Sequence, residues 1–185
     1  MLIEAAIRVM AADGSGSLSV GEVLSESGLS TRAFYRHFES KEMLLEALML
    51  REAAAVGRSL ARVVAEAPDP VAALEAWLTR FLDVFYEPRR AARAALLSSA
   101  AFRAAGPSAR MMASMRQTSC APLVEALRAG HEAGVLHSPT PTADAYSIYD
   151  LVSARHEALD DGEPDRAATY AHVVRFAWPA LRLKR

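Results

Sequence analysis

The stretch from Leu18 to Lys41 constrains this chain more than any other. Ser19 and Glu22 stand three residues apart ahead of an apolar run, the spacing of a capping box that opens a helix. Val20, Val23 and Leu24 repeat at helical spacing and make one apolar face. Gly28 stops that helix, because glycine accepts the left-handed backbone of a C-cap. Leu29 pins the turn and Ser30 caps the next helix. There Thr31, Arg32, Arg36 and His37 project outward, while Phe34 and Phe38 point inward. Helix, glycine turn and helix make a helix-turn-helix, whose second helix enters the major groove of DNA. Arg can read guanine bidentately, Thr can touch a thymine methyl, and Tyr, His and Lys suit phosphates. The candidate DNA contacts are therefore Ser30, Thr31, Arg32, Tyr35, Arg36, His37 and Lys41. The plainer reading of the same residues is a solvated helix face with Tyr35 half packed.

The run from Ser30 to Leu45 resembles the signature of the tetracycline-repressor (TetR) family. Phe34 stands in its apolar slot, Tyr35 at its tyrosine, Phe38 at its phenylalanine and Lys41 at its lysine, before the apolar run Met43-Leu44-Leu45. The resemblance covers about the first quarter of the chain. It implies an all-α protein, with an N-terminal three-helix helix-turn-helix DNA-binding domain (1–46) and a C-terminal helical ligand-binding and dimerisation domain (47–185). It also implies a homodimer through the last two helices and, by the family's default, repression of a palindromic operator relieved by a small-molecule effector. Two departures point to a weaker grip on phosphates, or to a start codon assigned too late. The basic segment and extra helical turn that usually precede the first helix are missing, and Gly21 stands where a basic residue is common.

Charge gives the DNA reading no global support. The whole chain carries a net charge of −1. Residues 1–50 hold four bases and seven acids, 4 − 7 = −3. From Ser30 to Lys41, however, there are three bases and one acid. Position outweighs the sum, since salt screens charges beyond about 8–10 Å.

The rest of the chain reads as helices punctuated by Pro and Gly. Leu2, Ile3, Ala6, Ile7 and Met10 stripe a first helix from Met1 to Asp13, followed by the polar turn Asp13-Gly14-Ser15-Gly16-Ser17. A long helix runs from about Ser40 to Ala67, and at 1.5 Å per residue it spans roughly 40 Å. By the resemblance its tilt would set the recognition helix. Helices follow over 70–87, 89–104 and 108–130, the last with Pro122 in its interior, where a ring without an N–H loosens a turn. Two final helices, 142–159 and 165–183, flank the turn Asp160-Asp161-Gly162-Glu163-Pro164. They are too apolar all round for a solvated hairpin, and pairing with a second copy would make a four-helix bundle. Charges interrupt every apolar run before the roughly 18 residues of a membrane span. There is no basic leader, and a single cysteine, Cys120, fits a reducing cytoplasm.

Aromatic and methionine side chains cluster in the helical half. Trp77, Phe81, Phe85, Met112, Met115, Arg116, Tyr146 and Tyr149 are the candidate ligand-binding residues, with Met111, Ser119, Ser153 and His156 as further lining. Apolar walls with a few polar groups suit a small-molecule pocket, and methionines suit an adaptable wall. An ordinary core explains each of these residues singly. The histidines lack metal-ligand spacing, no phosphate loop or nucleophile arrangement is present, and no cofactor is implied. The expected protein is a ligand-responsive transcriptional regulator and not an enzyme. Two other readings compete with it. One is an all-helical interaction dimer that has lost DNA binding. The other is a helical small-molecule enzyme, for which no catalytic constellation is visible.

Overall fold

The computed structural model describes residues 1–13, 18–87, 108–157 and 165–182. Every regular element among them is an α-helix. In order these are α1 (Leu2–Asp13), α2 (Val20–Ser27), α3 (Thr31–His37), α4 (Lys41–Ala65), α5 (Pro70–Tyr86), α6 (Ala109–Glu132), α7 (Pro141–Glu157) and α8 (Arg166–Leu181). The fold is all-α, as expected. The helix expected over 89–104 and the turns at 13–17 and 160–164 lie outside the described residues, apart from Asp13 at the end of α1.

Local chemistry explains most of the boundaries. α4 starts after Ser40, whose hydroxyl accepts from Met43 N–H at 3.2 Å. Asp69 caps α5, accepting from Ala72 N–H at 2.8 Å, with Pro70 in the first turn where no donor is needed. Asp165 caps α8 in the same way, at 2.6 Å from Ala168 N. α6 runs two residues past Gly130, the expected stop. Gly130 is instead a point of close approach: a Cβ there would lie 2.6 Å from Leu136 Cδ1. The left-handed stop is Gly134, at φ 70°. α8 passes through Pro179 and ends at Leu181.

The chain divides into two compact units. One holds α1 to α3 and α4 as far as Glu52, with the start of α6 to Ala113. Its core is Leu2, Ala5, Ala6, Met10, Leu18, Val23, Phe34, Leu44, Leu45 and Leu48, with Ile3, Ile7 and Phe38 packed against it. Phe34 is fully buried, a contribution of about 1.5–3 kcal/mol. The other unit holds α4 from Ala53, then α5, α6 from Ser114, α7 and α8. Its core is built on Leu60, Trp77, Leu78, Phe81, Leu82, Cys120, Leu123, Leu127, Ile148 and Val152.

Candidate nucleic-acid interface

The turn between α2 and α3 is built from side chains within four residues of one another. Glu22 N–H donates to Ser19 Oγ at 3.2 Å, and Ser19 N–H donates to the Glu22 carboxylate at 2.9 Å, closing the expected capping box. Gly28 takes φ 67°, the left-handed geometry that the C-cap requires. Ser30 then caps α3, accepting from Ala33 N–H at 3.2 Å. Phe34 anchors α3 in the core and meets Phe38 at 5.9 Å between ring centroids.

That anchoring decides which side chains face outward. Thr31, Arg32, Tyr35, Arg36 and His37 are exposed, and Lys41 is half-buried at the start of α4. Tyr35 packs its ring edge-on to Phe34 at 5.2 Å yet keeps 55 % of its surface exposed. Ser30 is exposed with its oxygen engaged in the cap, so only its hydroxyl proton is left to offer a phosphate. Thr31 to His37 carries two arginines and no acid. Arg8 on α1, by contrast, donates to Glu26 on α2 at 2.6 Å. Arg51 on α4 meets Glu4 on α1 at 2.8 Å, and the Glu4 carboxylate holds its guanidinium pKa above the ordinary value. Arg8 and Arg51 are thus engaged by carboxylates, while Arg32 and Arg36 stand on the exposed face of α3. These two ion pairs link residues far apart in sequence, and no spacing rule points to them.

Residues 2–48 match the model of the bacterial regulatory proteins of the tetR family. They form a TetR-family DNA-binding domain. No curated protein matches the chain. Solved structures share its fold at low identity. A protein of Mesorhizobium loti MAFF303099, assigned to the TetR family of transcriptional regulators, superposes with a TM-score of 0.72 at 19 % identity, over 98 % of this chain and 95 % of that one. The transcriptional regulator FadR from Bacillus subtilis, in complex with stearoyl-CoA, has a TM-score of 0.72 at 14 % identity, covering 97 % of each chain. RolR in complex with resorcinol has a TM-score of 0.65 at 19 % identity, over 97 % of this chain and 88 % of that one.

Within itself, the helical unit assembles most of the aromatic residues singled out in its sequence. Trp77 stacks on Phe81 at 4.8 Å, and Phe81 stacks on Tyr149 at 4.9 Å. Phe85 meets Phe81 edge-on at 5.4 Å. The Arg116 guanidinium lies 4.5 Å over the Tyr146 ring and pairs with Asp150 at 3.2 Å. Burial first, then the neighbouring Cys120, raises the Tyr149 phenol pKa, while a hydrogen bond with Ser153 opposes them. Met115 is half-buried. Met112 does not join this group: it belongs to the other unit and is 49 % exposed. Ser119 takes part through its carbonyl, which accepts the Trp77 indole N–H at 3.0 Å. The side chain of His156 lies outside the described residues. Asp150, the partner of Arg116, was not among the candidates, because 34 residues separate the two.

Cys120 and His131 have structural surroundings. Cys120 is buried beside Ala145 O, and burial pushes its thiol up to about 12. His131 Nδ1 accepts from Ser138 N–H at 3.4 Å, which puts the proton of a neutral ring on Nε2. Among the described residues no three His, Cys, Asp or Glu side chains group as metal ligands. Nor is any described helix long and apolar enough to cross a membrane.

Proposed function

We propose that this chain is a dimeric, ligand-responsive transcriptional repressor of the cytoplasm, with residues 1–46 reading DNA and residues 47–185 binding an effector and pairing with a second copy. Each protomer lays α3 in a major groove, and the dimer reads a palindrome with half-sites about 34–36 Å apart. The observation that carries this is α3 itself. Its inward face is spent on Phe34, and its outward face offers Thr31, Arg32, Tyr35, Arg36 and His37 without an intervening acid. Arg32 is assigned to bases, Lys41 and the Ser30 cap to phosphates.

The helical unit is the effector-binding body. FadR and RolR, which share the fold, hold stearoyl-CoA and resorcinol. The ladder of Trp77, Phe81, Phe85 and Tyr149, with Arg116 on Tyr146, suits a small, largely apolar molecule. An effector that prefers one of two conformations shifts their balance by that difference in affinity, releasing the operator. Dimerisation through α7 and α8 is supported by the exposed face of α8, where Ala168, Ala171 and Phe176 remain uncovered in the single chain.

The acid excess of residues 1–50 favours a second reading, an interaction dimer without DNA affinity. Selection from random duplex DNA at fixed salt, with the purified protein, separates the two. Recovery of a palindrome supports the repressor and supplies its operator. No enrichment supports the interaction dimer.

A further inference from the structure

Pro122 lies in the interior of α6. It has no N–H, so it cannot serve the Thr118 carbonyl four residues earlier. That carbonyl faces α4. A Cβ built on Gly57 would lie 3.1 Å from Thr118 O and 2.7 Å from Thr118 Cγ2. Gly57 is therefore what lets α4 and α6 approach so closely, at the oxygen that Pro122 leaves unserved. The Thr118 hydroxyl donates to Ser114 O at 2.8 Å, which holds its methyl against Gly57. The next carbonyl, Ser119 O, accepts the indole N–H of Trp77 on α5 at 3.0 Å. Of two successive carbonyls of α6, one thus lies against α4 and the next is bonded from α5, at the turn where α6 lacks a rung of its own.

We propose that Thr118–Pro122 is a hinge in α6, with Gly57 as its pivot on α4 and Trp77 as its latch on α5. A bend at the missing rung has one hydrogen bond fewer to break than elsewhere in α6, which makes this turn the point of least resistance. A bend displaces the Thr118 carbonyl and methyl. α4 follows, because Gly57 has no side chain that could absorb the shift. Trp77 ties the same turn to the ring ladder through Phe81 and Tyr149. Only the consequence at DNA rests on the repressor reading, since α4 continues unbroken to Lys41. The hinge itself is a property of the helical unit.

Hydrogen exchange and indole fluorescence on the full chain test it, with Trp178→Phe in every variant so that emission reports Trp77. Pro122→Ala restores the missing donor. It is expected to slow exchange over residues 118–126 by at least about tenfold, to alter exchange over residues 53–61 of α4 by at least about threefold, and to shift Trp77 emission. Slower exchange confined to α6, with α4 and Trp77 unchanged, overturns the proposal. Gly57→Ala drives a methyl into Thr118 and is expected to lower the melting temperature or prevent folding. Gly57→Ala with Thr118→Ser removes the nearest methyl and is expected to recover most of that loss. Gly57→Ala with wild-type melting and exchange overturns the pivot, and so does failure of the double variant to recover. On a duplex that the wild type binds, Pro122→Ala should move Kd by at least about fivefold. Unchanged Kd removes the link to DNA. A wild type that binds no duplex overturns the repressor reading and leaves the hinge to be decided by exchange and emission alone.

Discussion

Arg8 and Glu26 meet at 2.6 Å, joining α1 to α2 in the TetR-family domain. The pair neutralises one of only four bases in the first fifty residues. Both side chains are largely exposed, so the pair contributes at most about 1 kcal/mol to stability. Its larger consequence is electrostatic. Glu26→Gln should release Arg8 and remove an acid, strengthening DNA binding and steepening its salt dependence by about one unit of log–log slope per protomer. Anisotropy titrations on one duplex at several salt concentrations measure this. An unchanged slope would place Arg8 away from the phosphates.

Arg32 and Lys41 should fail differently. Arg32→Ala is expected to lose about 1–3 kcal/mol on the selected operator and to relax selectivity at one base position. Lys41→Ala should weaken binding to all duplexes alike. Operator affinity and selectivity unchanged in Arg32→Ala would strike it from the base-reading set. A Lys41→Ala defect confined to one base position would contradict a phosphate role.

Two glycines close to one another should respond with opposite signs. Nothing lies within 4 Å of a Cβ placed on Gly21, inside α2. Gly21→Ala should stabilise the domain by about 0.5–1 kcal/mol through helix propensity. Gly28 holds φ 67°, so Gly28→Ala should cost about 1–2 kcal/mol. Thermal melts of the two variants settle both signs, and stabilisation by Gly28→Ala would mean that the turn is not left-handed in solution.

Cys120 should behave as an inert thiol in the native state. With its pKa pushed to about 12 from an ordinary 9.0, chiefly by burial, it is almost wholly protonated at neutral pH. At pH 8 roughly one thiol in ten thousand is ionised, and alkylation should proceed only as fast as the helical unit opens. The raised value favours the protonated folded state. That stability is complete below the unfolded pKa near 9 and is lost as pH rises toward 12. Cys120→Ala should therefore flatten the alkaline limb of the stability profile between these values. Rapid labelling of native protein at pH 8 would refute the buried-thiol account.

Phe176 tests the pairing of protomers. It is 55 % exposed on α8, flanked by the His172 ring at 4.8 Å and the Arg175 guanidinium at 4.6 Å. Burial of this ring against a second copy would contribute about 1.5–3 kcal/mol per protomer. Phe176→Glu should convert the dimer to a monomer in sedimentation velocity while leaving helix content intact. A dimer that survives the change would move the interface elsewhere.

What could be read in advance was local. The Ser19–Glu22 box, the Gly28 stop, the Ser30 cap and the inward Phe34 each depend on residues within four positions, so spacing alone specifies them. The aromatic residues of the helical unit were legible as a set by their periodicity, but not which of them would touch. Gly130 shows the limit. A glycine near a helix end reads as a stop, yet here it makes room for Leu136, and Gly134 ends the turn.

The sequence by itself determined an all-helical chain with a helix-turn-helix near its start, because caps, turns and apolar periodicity act over single helical turns. Tertiary structure alone decided that Arg8 would be spent on Glu26, that Arg116 would meet Asp150, and that Gly57 would lie under the carbonyl Pro122 leaves unserved. Those partners are set by how helices cross, and a crossing is fixed by packing between residues far apart in the chain, for which no local rule has a term.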